Sequence, residues 1–165
     1  MGRLTLPASA KTLASDVRKC LMIAADEGVL RSPPETIFRL LKMEQRTLDR
    51  GAMVVALLGA ATFDKPQSDD DDFFIRSDGA RLSFGVTVAY RRGVEPELLT
   101  YRFHLRFPRN SSPSFIRFDL NDESREPLIE PRSHLHPGSD HVRIPVPAMT
   151  PIEILEKLLY GTLAP

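Results

Sequence analysis

The feature that most constrains the fold is a change of hydrophobic period near residue 73. From there the chain alternates apolar with polar residues in three runs, which are residues 82–90, 99–107 and 116–120. Alternation of this kind is typical of β-strands with one buried face. Asp78-Gly79 lies between a short apolar run and the first alternating run, and it predicts a tight hairpin turn. The pattern therefore predicts an antiparallel meander of about four to five strands.

Helical spacing marks both ends of the chain. Apolar residues recur every three or four positions between Leu13 and Ala24, which predicts a first helix. Ser32 followed by Pro33 is typical of a helix cap and first position, so a second helix is predicted to begin there. Thr150 is followed by proline in the same way and predicts a last helix over residues 150–161. Together with the meander, these helices predict an α+β fold with N-terminal helices and one C-terminal helix.

Residues 52–61 are apolar on every side, and periodicity alone does not decide between a buried helix and a buried strand. Four of these ten residues are alanine, which favours a helix and makes residues 1–64 a helical part. Residues 65–72 contain four consecutive aspartates and predict a solvated acidic linker. The sheet is then expected over residues 73–149, and the whole chain, residues 1–165, is interpreted as one domain.

Composition excludes several classes of protein. Lysine plus arginine and aspartate plus glutamate number 22 each, so no global field draws the chain to nucleic acid. The single cysteine, Cys20, permits no disulfide within the chain. We expect a cytoplasmic protein without a membrane segment, since no secretory signal and no apolar run of about 18 residues are present.

The polar sides of the predicted strands contain several basic and imidazole groups. Residues two apart share a face of a strand, so the residues between the apolar positions face away from the core. If the strands pair in the order in which they occur, one sheet face gathers Arg102, His104, Arg106, Arg117, Arg132, His134 and His136. Such a surface would suit a phosphate group, with arginines binding its oxygens and a histidine as acid or base. Polar residues on the solvent face of an ordinary antiparallel sheet are the alternative interpretation.

Three of the four histidines fall within eight residues, and His134 and His136 are the candidate catalytic pair. His141 and Asp119 are secondary candidates, and Arg143 could reach back to a phosphate. A metal site formed by the paired histidines with Asp119 or His141 stays open, although no strong zinc motif is present. We expect no cofactor, and no metal ligand is assigned.

Residues 80–160 resemble the TumE-type toxins and related bacterial toxin–antitoxin and anti-phage defence families. The resemblance lies in the strand Tyr101-Arg-Phe-His104, the strand from Ile116 to Asp119, and the His134-x-His136-x-Gly138 segment. It implies a small intracellular protein that works beside a protein partner, either an antitoxin or a subunit of a defence complex. It also implies an action on RNA or the occlusion of a nucleic-acid process.

Two functions follow as expectations. In the first, the protein binds RNA through the polar sheet face and cleaves it without a metal, with His134 and His136 as general base and acid. Arg102, Arg117 and Arg132 would hold the scissile phosphate. In the second, the protein is a non-enzymatic interaction subunit, and either its N-terminal helices or the edge at residues 143–147 contact a partner. A metal-dependent phosphoesterase is a third possibility.

Overall fold

A computed structural model of the chain describes residues 4–47, 51–61, 72–123 and 131–162. Its helices are α1 (Ala10–Asp26), α2 (Pro34–Leu40) and α3 (Pro151–Tyr160). Its strands are β1 (Leu41–Thr47), β2 (Met53–Gly59), β3 (Phe74–Ile75), β4 (Arg81–Tyr90), β5 (Glu97–Arg106), β6 (Phe115–Leu120), β7 (Ser133–Pro137) and β8 (Ile144–Pro145). None of the described helices combines the length and the apolarity that crossing a bilayer requires.

All eight strands belong to one antiparallel sheet in the order β1-β2-β4-β5-β6-β7-β8, with β3 paired to β4. The α+β class is confirmed, and the count of four to five strands was too low. Neighbouring strands follow one another along the chain from β4 to β8. This sequential order is the condition under which the alternating polar residues of β5, β6 and β7 meet on one face.

The opposite face of the sheet packs against the helices and forms the core. Phe84 of β4 stacks between Phe74 and Phe103, with ring centroids 5.8 and 5.2 Å apart. Leu21 of α1 and Leu158 of α3 are fully buried members of the same cluster. The helices thus cover one side of the sheet and leave the other side to the polar residues.

The predicted first and last helices are confirmed, and their ends follow from local chemistry. The Ser9 hydroxyl accepts a hydrogen bond from the backbone N–H of Thr12 at the start of α1. Thr150 and Glu153 form a capping box at the start of α3, in which each side chain accepts from the backbone N–H of the other residue. The Asp78-Gly79 turn between β3 and β4 is also confirmed, and Gly79 has a φ of +87° there.

The second helix begins one residue later than its sequence signal predicts. Pro33, rather than Ser32, occupies the cap position, and α2 ends at Leu40. The Ser32 hydroxyl instead accepts a hydrogen bond of 2.8 Å from the backbone N–H of Ile75. The hydroxyl that was predicted to cap the helix therefore binds the backbone of strand β3 instead.

The helix predicted over residues 52–61 was wrong, and with it the description of residues 1–64 as helical. Met53–Gly59 is strand β2, which pairs with β1 on one side and with β4 on the other. Val55 and Leu57 are buried in the core, while Ala56 and Leu58 are half-buried on the other face. Both faces of this strand are apolar, so its sequence shows no alternation. Residues 65–71, which belong to the predicted acidic linker, lie outside the described residues.

Candidate functional site

Strand register assembles the candidate site from three neighbouring strands. Asp119 of β6 lies directly opposite Arg102 of β5 and His134 of β7, and Arg117 lies opposite His104 and His136. Directly opposed residues of an antiparallel pair have side chains close enough to interact. The predicted gathering of Arg102, His104, Arg117, His134 and His136 on one face is therefore present, with Asp119 between them.

Asp119 is the centre of the cluster and is almost fully buried, with 8% of its side chain exposed. The Arg117 Nε donates to Asp119 Oδ2 at 2.9 Å. The Nε2 atoms of His136 and His134 approach the same oxygen at 3.3 and 3.8 Å. Arg102 lies on the other side, with its Nε 3.4 Å from Oδ1. One carboxylate oxygen thus faces two imidazoles and a guanidinium.

Backbone carbonyls fix the tautomer of both histidines. His134 Nδ1 lies 2.8 Å from the carbonyl oxygen of Pro131, and His136 Nδ1 lies 3.2 Å from that of Ser139. A carbonyl oxygen only accepts, so each Nδ1 is the protonated, donating nitrogen. In a neutral ring, Nε2 then has a lone pair and no proton. Burial lowers the pKa of His136, and the nearby Arg117 lowers it further, which favours the neutral ring.

The burial of the two histidines differs from the sequence expectation. His134 and His136 were predicted on a solvent-facing surface, but only 2% and 1% of these residues are exposed. General acid–base catalysis requires hydrogen-bond contact with the reacting group. Rings this deeply enclosed are not in contact with solvent, and their common orientation toward Asp119 suits binding of a small ion better than direct proton transfer to RNA.

The turn after β7 holds His136 in place. Gly138 has a φ of +82°, and a side chain there would meet the Pro113 Cβ at 2.7 Å. This close packing returns the chain so that the Ser139 carbonyl reaches His136, and Asp140 Oδ1 accepts from Arg117 Nη1 at 2.6 Å. Arg117 holds the pKa of the Asp140 carboxyl below its usual range. Arg117 is therefore fixed between two carboxylates.

His104 lies on the same face but in a different environment. Its ring packs against Phe115, with centroids 5.0 Å apart, and the residue is 9% exposed. Burial, followed by the positive charges of Arg106, Arg117 and Arg102, lowers its pKa to about 3. His104 is therefore neutral at physiological pH and adds no positive charge for a phosphate.

Four of the predicted residues lie away from Asp119. Arg132 forms an ion pair of 3.0 Å with Glu123 and donates to the Leu98 carbonyl oxygen. Arg106 is exposed at the end of β5, and Arg143 is exposed before β8. His141 is exposed in the turn, where its backbone N–H donates to Ser139 Oγ.

A cavity of about 320 Å³ lies on the polar face beside Asp119. Gly85 of β4 is opposite Arg102 and lacks a side chain, which leaves space between Leu58 and the Arg102 side chain. Thr87 and Thr100, which are opposed residues of β4 and β5, also line it. Asp119 Oδ1 is buried and accepts no hydrogen bond. The cavity and the histidines thus lie on opposite sides of one carboxylate.

Among the described residues, one group of three has the composition of a metal centre. It consists of Asp119, His134 and His136, which offer ligand atoms within 4.8 Å of one another. Two ligands bound tetrahedrally to one Zn²⁺ ion at 2.0–2.2 Å would be about 3.3–3.6 Å apart. The His136–Asp119 distance of 3.3 Å is within that range, and the His134–Asp119 distance of 3.8 Å exceeds it by a few tenths of an ångström. His141 is not part of this group.

Sequence reasoning missed the residues that complete the site. Asp140 was absent from the candidates because it lies in a turn, although it follows the Gly138-Ser139 signal directly. Gly85 was not among the candidate residues either. An isolated glycine inside an alternating strand is a known sign of close approach or of open space, and it could have indicated the cavity.

Comparisons with protein-family models, with curated proteins and with solved structures find no match to this chain.

Proposed function

We propose that the polar face of the sheet is a metal centre in which Asp119, His134 and His136 bind one divalent transition-metal ion. The observation on which this depends is the orientation of the two imidazoles. Both direct an Nε2 atom at the same carboxylate oxygen, while their Nδ1 atoms donate to carbonyl oxygens. A lone pair facing a carboxylate is electrostatically unfavourable unless a positive charge, either a metal ion or a proton on Nε2, lies between them.

The surroundings of the three ligands support the proposal. Metal-binding histidines usually donate their other N–H to a carbonyl or a carboxylate, and both histidines do so here. Arg117 holds the carboxylate in place, and its positive charge is balanced by Asp140. Two imidazoles and one carboxylate suit zinc or iron, whereas magnesium and calcium prefer oxygen ligands.

Three protein ligands would leave positions open for water or substrate, as in catalytic metal sites. A bound ion of this kind acts as a Lewis acid and lowers the pKa of its water. The chemistry that fits the exposed arginine beside the site is hydrolysis of a phosphoester. In that reaction a water oxygen forms the new bond to phosphorus, and the leaving oxygen departs with a proton. We therefore propose a metal-dependent phosphoesterase of the toxin-like or defence-associated kind, with RNA as the class of substrate.

Metal content after reconstitution tests the proposal. The protein is stripped with a chelator, dialysed against zinc, washed and analysed for bound metal and for unfolding temperature. We expect about one zinc per chain, and a stabilisation of about 2.7 kcal/mol at a free zinc concentration of 100 times Kd. His134→Ala/His136→Ala is expected to bind no zinc at this site.

The matched control is His141→Ala, which removes an exposed histidine from the same segment. It should bind zinc as the wild type does. Equal zinc content in the control and in the His134/His136 double variant would overturn the proposal, and so would wild-type protein that binds no zinc, iron, cobalt or nickel.

A second candidate is the non-enzymatic interaction subunit, and one observation favours it. Val142 and Ile144 are 47% and 45% exposed; Val142 lies just before the short strand β8 at the end of the described sheet, and Ile144 is its first residue. Neighbouring exposed apolar side chains at a sheet edge are typical of a surface that binds a partner. The buried cluster around Asp119 would then be structural.

Co-expression with the product of a flanking gene tests this second candidate. Val142→Asp/Ile144→Asp should abolish co-purification if the edge binds that partner, and it should leave zinc content unchanged. Unaltered co-purification, or no complex with either flanking product, would contradict it.

A further inference from the structure

The cavity beside Asp119 is lined by both polar and apolar residues of the sheet. Its floor is open because Gly85 has no side chain, and Leu58 forms one wall. Cavities that bind small molecules begin at about 300 Å³. The cavity volume of about 320 Å³ is therefore enough for a compact ligand or for one nucleotide unit of a longer one.

Asp119 Oδ1 is a hydrogen-bond acceptor beside the cavity that no donor occupies. Its side chain is more than nine-tenths buried, and Oδ1 accepts no hydrogen bond, although the Arg102 Nε lies 3.4 Å away. A buried carboxylate oxygen without a hydrogen bond costs free energy. A ligand hydroxyl in the cavity would supply the missing donor without displacing Arg117, which binds the other oxygen.

Arg102 gives the same cavity a cation. Its side chain is 58% exposed, whereas that of Arg117 is only 13% exposed and is held by two carboxylates. An exposed guanidinium can turn toward an anion and bind two of its oxygens at once. Thr87 and Thr100 line the cavity with hydroxyl groups that donate or accept. The lining therefore combines one guanidinium, which can bind an anion, with hydroxyl groups and with the carboxylates of Asp119 and Asp122.

We infer that this cavity binds a ribonucleotide, with the Arg102 guanidinium on the phosphate and Asp119 Oδ1 accepting from a ribose hydroxyl. The inference rests on the proposed function in one respect only, which is that this ligand would be the substrate of the metal centre. Binding of the ligand does not itself depend on the metal, because the cavity residues other than Asp119 are not metal ligands. The substrate class follows from two groups that line the cavity. The exposed guanidinium can bind a phosphate, and the buried carboxylate oxygen can accept a hydrogen bond from a hydroxyl.

Calorimetric titration of the full chain tests the inference, with adenosine 5′-monophosphate, its 2′,3′-dideoxy analogue and inorganic phosphate as probes. Each probe is titrated into metal-free and zinc-loaded protein. We expect the monophosphate to bind both forms. The dideoxy analogue and inorganic phosphate should each bind at least tenfold more weakly, because each lacks one of the two recognised groups.

Variants assign the binding to the cavity. Arg102→Ala should weaken monophosphate binding at least tenfold, and Gly85→Ala should weaken it by reducing the space. Arg91→Ala is the matched control, since Arg91 is a half-exposed arginine at the end of β4 whose partner is Glu97. It should bind as the wild type does.

The outcomes separate this inference from the metal proposal. Monophosphate binding that survives in His134→Ala/His136→Ala supports the cavity even if no metal binds. Zinc binding without any monophosphate binding at millimolar concentration overturns the cavity inference and leaves the metal centre intact. Equal affinity for inorganic phosphate and the monophosphate overturns the ribonucleotide assignment, and so does equal weakening by Arg102→Ala and Arg91→Ala.

Discussion

Arg76 is the buried charge on which we expect the stability of the helix-to-sheet contact to depend most. Only 3% of the residue is exposed. Its Nε donates to Asp78 Oδ1 at 3.0 Å, and its Nη2 pairs with the other carboxylate oxygen. Its Nη1 donates to the Leu158 carbonyl oxygen at 2.6 Å and to Thr162 Oγ1 at 2.7 Å. One guanidinium therefore connects the β3–β4 hairpin to the end of α3.

The expected cost of Arg76→Met follows from these contacts. Removing one member of a buried ion pair costs about 3–5 kcal/mol when the remaining charge is sealed from water. Asp78 is 25% exposed and also accepts from the backbone N–H of Ala80, so part of that cost is avoided. The loss of the hydrogen bond to the Leu158 carbonyl adds to it. We expect the free energy of unfolding to fall by about 2–4 kcal/mol.

Urea unfolding followed by circular dichroism measures this change. Arg91→Met is the matched control, because its ion pair with Glu97 is about half exposed on both sides and is expected to contribute about 0–1 kcal/mol. A double-mutant cycle with Asp78→Asn isolates the coupling between the two side chains. A loss below about 1 kcal/mol for Arg76→Met, or no coupling in the cycle, would refute the reasoning.

Three further predictions concern the stability of the fold. The Arg76 guanidinium lowers the pKa of Asp78, so this pair stabilises the protein above about pH 4 and loses its contribution as the pH falls through the lower, folded-state pKa. The wild type should therefore lose stability on acidification more steeply than Asp78→Asn. Parallel curves of unfolding free energy against pH for the two proteins would contradict this. Thr150→Ala removes the cap of α3 and should cost about 1 kcal/mol in thermal unfolding, whereas an unchanged midpoint would show that the cap is dispensable. Gly59→Ala would place a Cβ 2.3 Å from the Phe84 ring, and we expect a loss of about 1–3 kcal/mol in urea unfolding, with no loss as the contrary result.

Local sequence patterns were sufficient to predict the elements that bury one face and expose the other. The alternation of β4, β5 and β6 and the capping residues of α3 gave these elements within one or two residues. β1 and β2 failed for different reasons. β1 is a seven-residue edge strand with six exposed positions, and its residues have good helix propensity, so only pairing with β2 makes it a strand. β2 is apolar on both faces, and its neighbours decide its structure.

The sequence predicted which face of the sheet carries the site residues, but not how deeply they are buried. Alternation correctly placed His134 and His136 on the face that also presents Arg102 and Arg117. It could not show that the turn through Ser139 and Asp140 contacts His136 and Arg117, because a loop contact leaves no periodic signal. The central role of Asp119 depends on a register across three strands, which only the folded chain defines.

X-ray absorption at the zinc edge of zinc-loaded protein is the measurement that tests the metal centre most directly. The account predicts two imidazole nitrogens at about 2.0–2.1 Å and an oxygen shell at about 2.0–2.2 Å, with no sulfur neighbour. His134→Ala/His136→Ala should lose the imidazole signal. A zinc shell of oxygen alone, a sulfur neighbour from Cys20, or protein that emerges from loading with no zinc at all would contradict it.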